Sequence, residues 1–137
     1  MIRLRGVQLS SKNKTKGQLE AEISEAIIKF EKEYLGRGPL ETKAYIIDDL
    51  ILIRLKGVLT QAEKQLAKED VDPHGRNLIK QVRIELLEKG RGLLESTIYS
   101  IVGKKIVSLH TDISVKTGER VIIFTLEEQP HYKPIGD

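Results

Sequence analysis

The stretch Tyr34-Leu35-Gly36-Arg37-Gly38-Pro39 stops a helix, and Gly57-Val58-Leu59-Thr60-Gln61-Ala62-Glu63 starts another. Gly36 and Gly38 can take the positive φ that terminates a helix, and Pro39 has no N–H with which to continue one. Arg37 is thereby held on a stiff, glycine-flanked corner. Thr60, with Glu63 three residues on, has the form of a capping box, in which each side chain bonds the other residue's backbone N–H. No single helix or strand can run through either mark, so the chain must change its period at both.

Before the first mark, Leu19, Ile23, Ala26, Ile27, Phe30 and Tyr34 recur at steps of three and four. The spacing predicts a helix over 15–35, with Thr15 and Gln18 as its capping box. Between the marks, 42–47 and 50–56 are rich in β-branched and large apolar residues around Asp48-Asp49, which reads as a hairpin with Ile51, Ile53 and Leu55 on its core face. Past Thr60 a short helix over 61–68 turns Ala62, Leu66 and Ala67 inward, and a polar loop ends at Pro73 and Gly75. A long helix follows over 76–102, its stripe formed by Ile79, Val82, Leu86, Leu93, Leu94, Ile98 and Ile101. Gly90 and Gly92 interrupt it, each at a cost of about 1 kcal/mol relative to Ala unless close packing or a bend uses the missing side chain.

A second hairpin closes the pattern. Residues 105–115 alternate strictly, 116–119 turn, and 120–126 are apolar enough for a central strand. The order α-ββ-α-α-ββ predicts an α+β fold, an antiparallel sheet of two hairpins with helices on one face. Residues 1–14 read as a basic N-terminal arm, 15–128 as a single domain, and 129–137, with Pro130, Pro134 and Gly136, as a flexible tail.

A chain of 137 residues fits one domain and buries about two-thirds of the surface its unfolded form exposes. The absence of cysteine excludes disulfides, thiolate catalysis and cysteine-based zinc sites, and agrees with a reducing compartment. Apolar runs such as 121–124 fall far short of the roughly 20 residues of a membrane helix, and the N-terminus lacks a signal-peptide core, so the chain reads as soluble and cytoplasmic. Plentiful Lys and Glu with little Asn or Met give a thermophile-like balance. The net charge of +3 is concentrated, because Arg3, Arg5, Lys12, Lys14 and Lys16 all precede the first acid, Glu20. Such an arm can be a solvated tail, or can track nucleic acid or an anionic membrane surface from the inner side.

The succession of helix, GRGP corner, apolar hairpin, GVLTxAE, long helix and a late Thr111-Asp112-Ile113-Ser114 segment resembles the MpsC-like family, from about Gly17 to Glu127. That bacterial family, formerly a domain of unknown function, is named after the third component of a sodium-translocating, membrane-potential-generating system. The resemblance implies a setting in membrane potential or inorganic-carbon uptake, with docking on a membrane transport component, and it implies no reaction. It also places a basic residue on the long helix, matched by Arg83. Val102 stands where the family's turn carries Thr, which puts a hydroxyl role for that turn in doubt.

Candidate site residues follow from both readings. Gly36, Arg37 and Gly38 can converge on a small anion through a guanidinium and glycine N–H groups, or simply stop a helix while Arg37 pairs with Asp48, Asp49 or Glu63. Thr60 and Glu63 are a cap, or face an anion at the helix start. Arg83 points toward the same region or lies with its stem on apolar neighbours. His110 and Asp112, two apart on one strand, share a face and are weak candidate metal ligands with no third in sight. A nucleophile elbow, HExxH helix, Walker loop and dinucleotide fingerprint are all missing, so neither an enzyme nor a cofactor is expected. The leading expectation is an accessory or regulatory protein that senses a small anion or docks on a transporter, as a homodimer. The alternatives are an RNA- or DNA-binding module similar to KH domains, though without their GxxG loop, and a purely structural oligomer.

Overall fold

The computed structural model describes residues 11–68 and 73–134. Most of the basic arm, residues 1–10, lies outside them, as do 69–72 and 135–137.

Helix α1 (Lys16–Leu35) begins at Thr15, whose Oγ1 accepts from Gln18 N at 3.1 Å while Gln18 Oε1 accepts from Thr15 N at 2.8 Å. It ends at Gly36, which takes φ 83° and donates its N–H to Lys32 O. One left-handed residue suffices for this stop, and Gly38 keeps a negative φ. Strands β1 (Glu41–Ile47) and β2 (Leu50–Lys56) form the first hairpin, with Asp48 at φ 55° in the turn. Aspartate tolerates this region because its short side chain bonds locally.

Helix α2 (Gln61–Ala67) and helix α3 (His74–Val102) precede the second hairpin, strands β3 (Ile106–Ser114) and β4 (Glu119–Leu126). The sheet runs β1-β2-β4-β3, with every pair antiparallel, so β2 and β4 join the hairpins at the centre. The fold is therefore α+β in the expected order. Registered rows explain where the core lies: Ala44, Ile53, Ile122 and Thr111 stand side by side, as do Ile46, Ile51, Phe124 and Leu109. These rows face α1 and α3, which contribute Leu19, Ile23, Ile27, Ile79, Leu87, Leu94 and Ile98 to the same cluster. The alternate rows, including Tyr45, Leu52, Ile123 and His110, lie on the face that no described helix covers. At the β1 edge the N–H of Ile46 donates to Glu20 at 2.8 Å, so part of that edge is occupied from within.

Two expectations about inward faces are corrected. On α3 the buried positions are Ile79, Arg83, Leu87, Gly90, Leu94, Ile98 and Val102, whereas Val82 and Leu93 are about half exposed. The seam follows one true helical row, and that row carries an arginine and a glycine which a purely apolar template passes over. Helix α2 buries none of its residues: Leu66 and Ala62 face outward and only Ala67 packs partly on the core. It is held by its capping box and by Glu63. The stretch from Gln129, expected as a loose tail, returns to the residues that lead into α1. Ser11 Oγ donates to His131 O, Lys133 N donates to Lys14 O at 2.7 Å, and Thr15 and Lys133 form a parallel bridge.

Candidate functional site

The two sequence marks meet in space. Gly57 turns out of β2 at φ 67°, and Val58 N then donates to Gly118 O, so 58–60 runs alongside the β3–β4 turn. Arg37 Nη1 donates to Leu59 O at 2.5 Å. Its partner is a carbonyl on this segment, not a carboxylate of Asp48, Asp49 or Glu63. Thr60 Oγ1 accepts from Glu63 N at 3.1 Å, and Glu63 Oε1 accepts from Thr60 N at 2.8 Å.

Glu63 is used a second time. Arg83 reaches from α3 and donates Nε to Glu63 Oε2 at 2.9 Å and Nη2 to Glu63 Oε1 at 2.6 Å, while Nη2 also donates to Val58 O at 2.8 Å. The fork is bidentate, the geometry that makes guanidinium–carboxylate pairs strong. Thr60, Glu63 and Arg83 thus form one constellation, with Arg37 holding the adjoining carbonyl; Gly36 and Gly38 shape the corner that carries Arg37.

Behind Arg83 lies a second layer of buried charge. Glu31 of α1 is 1% exposed, Arg83 2% and Arg120 of β4 4%. Glu31 stands between the arginines, its Oε1 3.7 Å from Arg83 Nη1 and its Oε2 3.5 Å from Arg120 Nη1, distances too long for direct hydrogen bonds. Glu31 Oε2 and Arg83 Nη1 are buried with no hydrogen-bond partner among the described residues. Arg120 is aimed by Thr111, whose Oγ1 accepts from Arg120 Nε at 3.2 Å and donates to Val121 O at 2.8 Å. Sequence reasoning missed Glu31, Arg120 and Thr111. The signal was present, because Glu31 continues the four-step row Leu19, Ile23, Ile27, and Arg120 alternates with Ile122, Phe124 and Leu126.

Burial pushes the Glu31 carboxyl up from its ordinary value, outweighing the opposing pull of Arg120 and Arg83. For Glu63 burial acts the same way, but the Arg83 hydrogen bonds, the Thr60 N–H and the Arg83 charge together hold it below the ordinary value. The two carboxyls give opposite slopes. A raised carboxyl keeps its proton longer in the folded state, so its contribution to stability falls as pH rises from the ordinary value near 4.5 through the raised one. The Glu63 contribution is present above its ordinary value and lost as pH falls through the depressed one. Replacing Glu31 by glutamine removes only the first slope. Urea unfolding of both proteins from about pH 4 to about pH 8 should show wild type losing stability relative to Glu31→Gln as pH rises; a constant difference would show that Glu31 ionises normally.

Between α3 and the β3 edge a cavity of about 50 Å³ is lined by Arg83, Arg120, Thr111, Ile84, Ile113, Lys80 and Asp112. Lys80 and Asp112 pair at 3.4 Å beside it. Asp112 is also engaged by Ile113 N at 2.8 Å, and His110 is exposed on the open face of the sheet. Among the described residues, His110 and Asp112 included, no three or more His, Cys, Asp and Glu side chains come together that could hold a metal. A separate cleft of about 660 Å³, between α2 and the β3–β4 turn, is lined by Lys64, Lys68, Arg76 and Lys116 with Leu40 and Leu59.

No helix among the described residues is long and apolar enough to cross a membrane. No solved structure matches the chain. It is 46% identical over 113 residues to the uncharacterized protein YbcI of Bacillus subtilis (strain 168), covering 82% of this chain and 89% of that protein. It is 25% identical over 114 residues to the uncharacterized protein YrhF of the same organism, covering 79% and 87%. The family model described as Na+-translocating membrane potential-generating system (MpsC) matches residues 15–128, from the cap of α1 to just past β4, and the chain belongs to that family.

Proposed function

We propose that this protein is an accessory subunit of a membrane-potential-generating transport system, and that it docks through the open face of its sheet on a membrane-spanning partner at the inner side of the membrane. The family description supplies the setting. Moving an ion across a bilayer requires a spanning path, and the described helices of this chain do not offer one.

The observation that carries the reading is the sheet face that no described helix covers. Tyr45, Leu52 and Ile123 stand in one row across β1, β2 and β4, with Ile47 and Leu50 in the next. Tyr45 and Ile47 are 41% and 48% exposed. The rim is charged and largely paired, with Arg54 to Glu119 at 2.5 Å and Lys56 to Glu41 at 3.9 Å. An apolar centre inside a polar rim is the anatomy of a protein interface.

Cells lacking this chain should show a lowered membrane potential with a potential-sensitive dye, restored by wild type. A Leu52→Glu variant, placed in the centre of the open face and checked for native thermal unfolding, should fail to restore it. An unchanged potential in the deleted cells would remove the membrane-potential role; full rescue by Leu52→Glu would remove the docking face while leaving that role standing.

A further inference from the structure

We propose that the cavity between α3 and β3 is a binding site for one small inorganic oxyanion, held by the guanidinium groups of Arg83 and Arg120. The inference goes beyond docking on a partner and is tested on the purified chain alone.

Three features carry it. The first is incomplete pairing of buried groups: Arg83 Nη1 and Glu31 Oε2 have no hydrogen-bond partner among the described residues, and both Glu31 contacts to the arginines are stretched to 3.5 and 3.7 Å. Buried polar groups in native structures are nearly always satisfied, so an unsatisfied guanidinium nitrogen on a residue that also lines the cavity leaves room in the cluster for one more acceptor. The second is pre-organisation. Arg83 is fixed by its fork on Glu63 and by Val58 O, and Arg120 by Thr111, so neither cation has to be ordered when a ligand arrives.

The third is size and wall chemistry. At about 50 Å³ the space is several times the roughly 10–15 Å³ that one water needs on the same measure, room for a small ion. Ile84 and Ile113 supply apolar walls, and the Lys80–Asp112 pair, exposed by 45% and 75%, stands beside it on the solvent side. Glu63 already balances Arg83, leaving Glu31 as the remaining buried counter-charge of Arg120. Burial raises the Glu31 carboxyl above its ordinary value and lowers the Arg120 guanidinium below its own, so it acts against both charges of this pair. Thr111 acts here as a positioning residue, through Arg120.

The test is thermal unfolding of the full chain at fixed ionic strength, titrated with chloride, nitrate, bicarbonate, sulfate, phosphate and glycerol 3-phosphate. One or more of the small oxyanions should raise the midpoint saturably, by roughly 5–10 °C at 100 times its dissociation constant. Because Arg83→Met also removes a structural fork, the deciding variants are at Thr111. Thr111→Val should weaken the anion at least tenfold, and Thr111→Ser, which keeps the hydroxyl, should restore it to within about twofold of wild type. Glycerol 3-phosphate, which carries phosphate on an ester too large for the space, should not shift the midpoint. Equal shifts in wild type and Thr111→Val, or shifts common to all salts, would show a general salt effect and overturn the site. Tight binding of glycerol 3-phosphate would show a headgroup site and overturn the free-ion reading.

Discussion

Replacing Arg83 by methionine is expected to lower the unfolding free energy by about 3–5 kcal/mol, the cost of breaking a buried ion pair from one side. Methionine keeps the straight stem and the helix propensity of the arginine, so the loss isolates the guanidinium. Three groups depend on it: both oxygens of Glu63 and the carbonyl of Val58, which is 3% exposed. An orphaned buried carbonyl alone costs about 1–3 kcal/mol, and Glu63 would keep a charge stabilised only by its cap. The double variant Arg83→Met/Glu63→Gln should therefore be less damaging than the sum of its parts, with a coupling of about 0.5–3 kcal/mol. Urea unfolding with an unchanged slope is the measurement. A single-variant loss below about 1 kcal/mol would mean that α2 and the 58–60 segment hold their place without Arg83.

Why this pair was only half legible in the sequence follows from how such patterns are read. Capping boxes, the glycine stop and both hairpins rest on local chemistry, which is written in consecutive residues; Thr15, Gly36, Thr60 and the alternation from Leu109 to Val115 appear where that chemistry puts them, while a register shift between Ile106 and Ser108 leaves Val107 exposed. Arg83 is different. Its neighbours Val82 and Ile84 are apolar and its own type is a surface type, yet Val82 and Ile84 face outward and Arg83 inward, because Glu31 of α1 and Glu63 of α2 meet it there. Those partners are between 20 and 52 positions away in the chain, too far for any local rule to pair them. The open face was legible in part: helices on one side of the sheet leave the other side uncovered, and Ile51, Ile53 and Leu55 on the core face put Leu52 opposite, but only the register shows Leu52 beside Ile123.

Gly90→Val is expected to destabilise by about 3 kcal/mol, the upper end of ordinary overpacking, whereas Gly92→Ala should stabilise by about 0.5–1 kcal/mol. The two glycines lie on one helix two residues apart, so the intrinsic preference of a helix for side chains is common to both and the difference is packing. A Cβ on Gly90 would sit 2.5 Å from Phe30 Cε1, 2.8 Å from Phe30 Cζ and 3.0 Å from Tyr34 Cζ, while one on Gly92 meets nothing within 4 Å. Phe30 and Tyr34 are stacked on each other with ring centroids 4.7 Å apart, so neither ring can move aside without disturbing its neighbour. The missing side chain is therefore what lets α1 approach α3. Trimming the obstruction should relieve it: in Gly90→Val/Phe30→Leu the two losses should fall short of additive. Equal effects of alanine at positions 90 and 92 would show that the helices separate at no cost. Glu31 is the residue after Phe30, so the same close approach sets the spacing of Glu31 from Arg83, and a valine that displaces α1 should also weaken any anion held by the arginine pair.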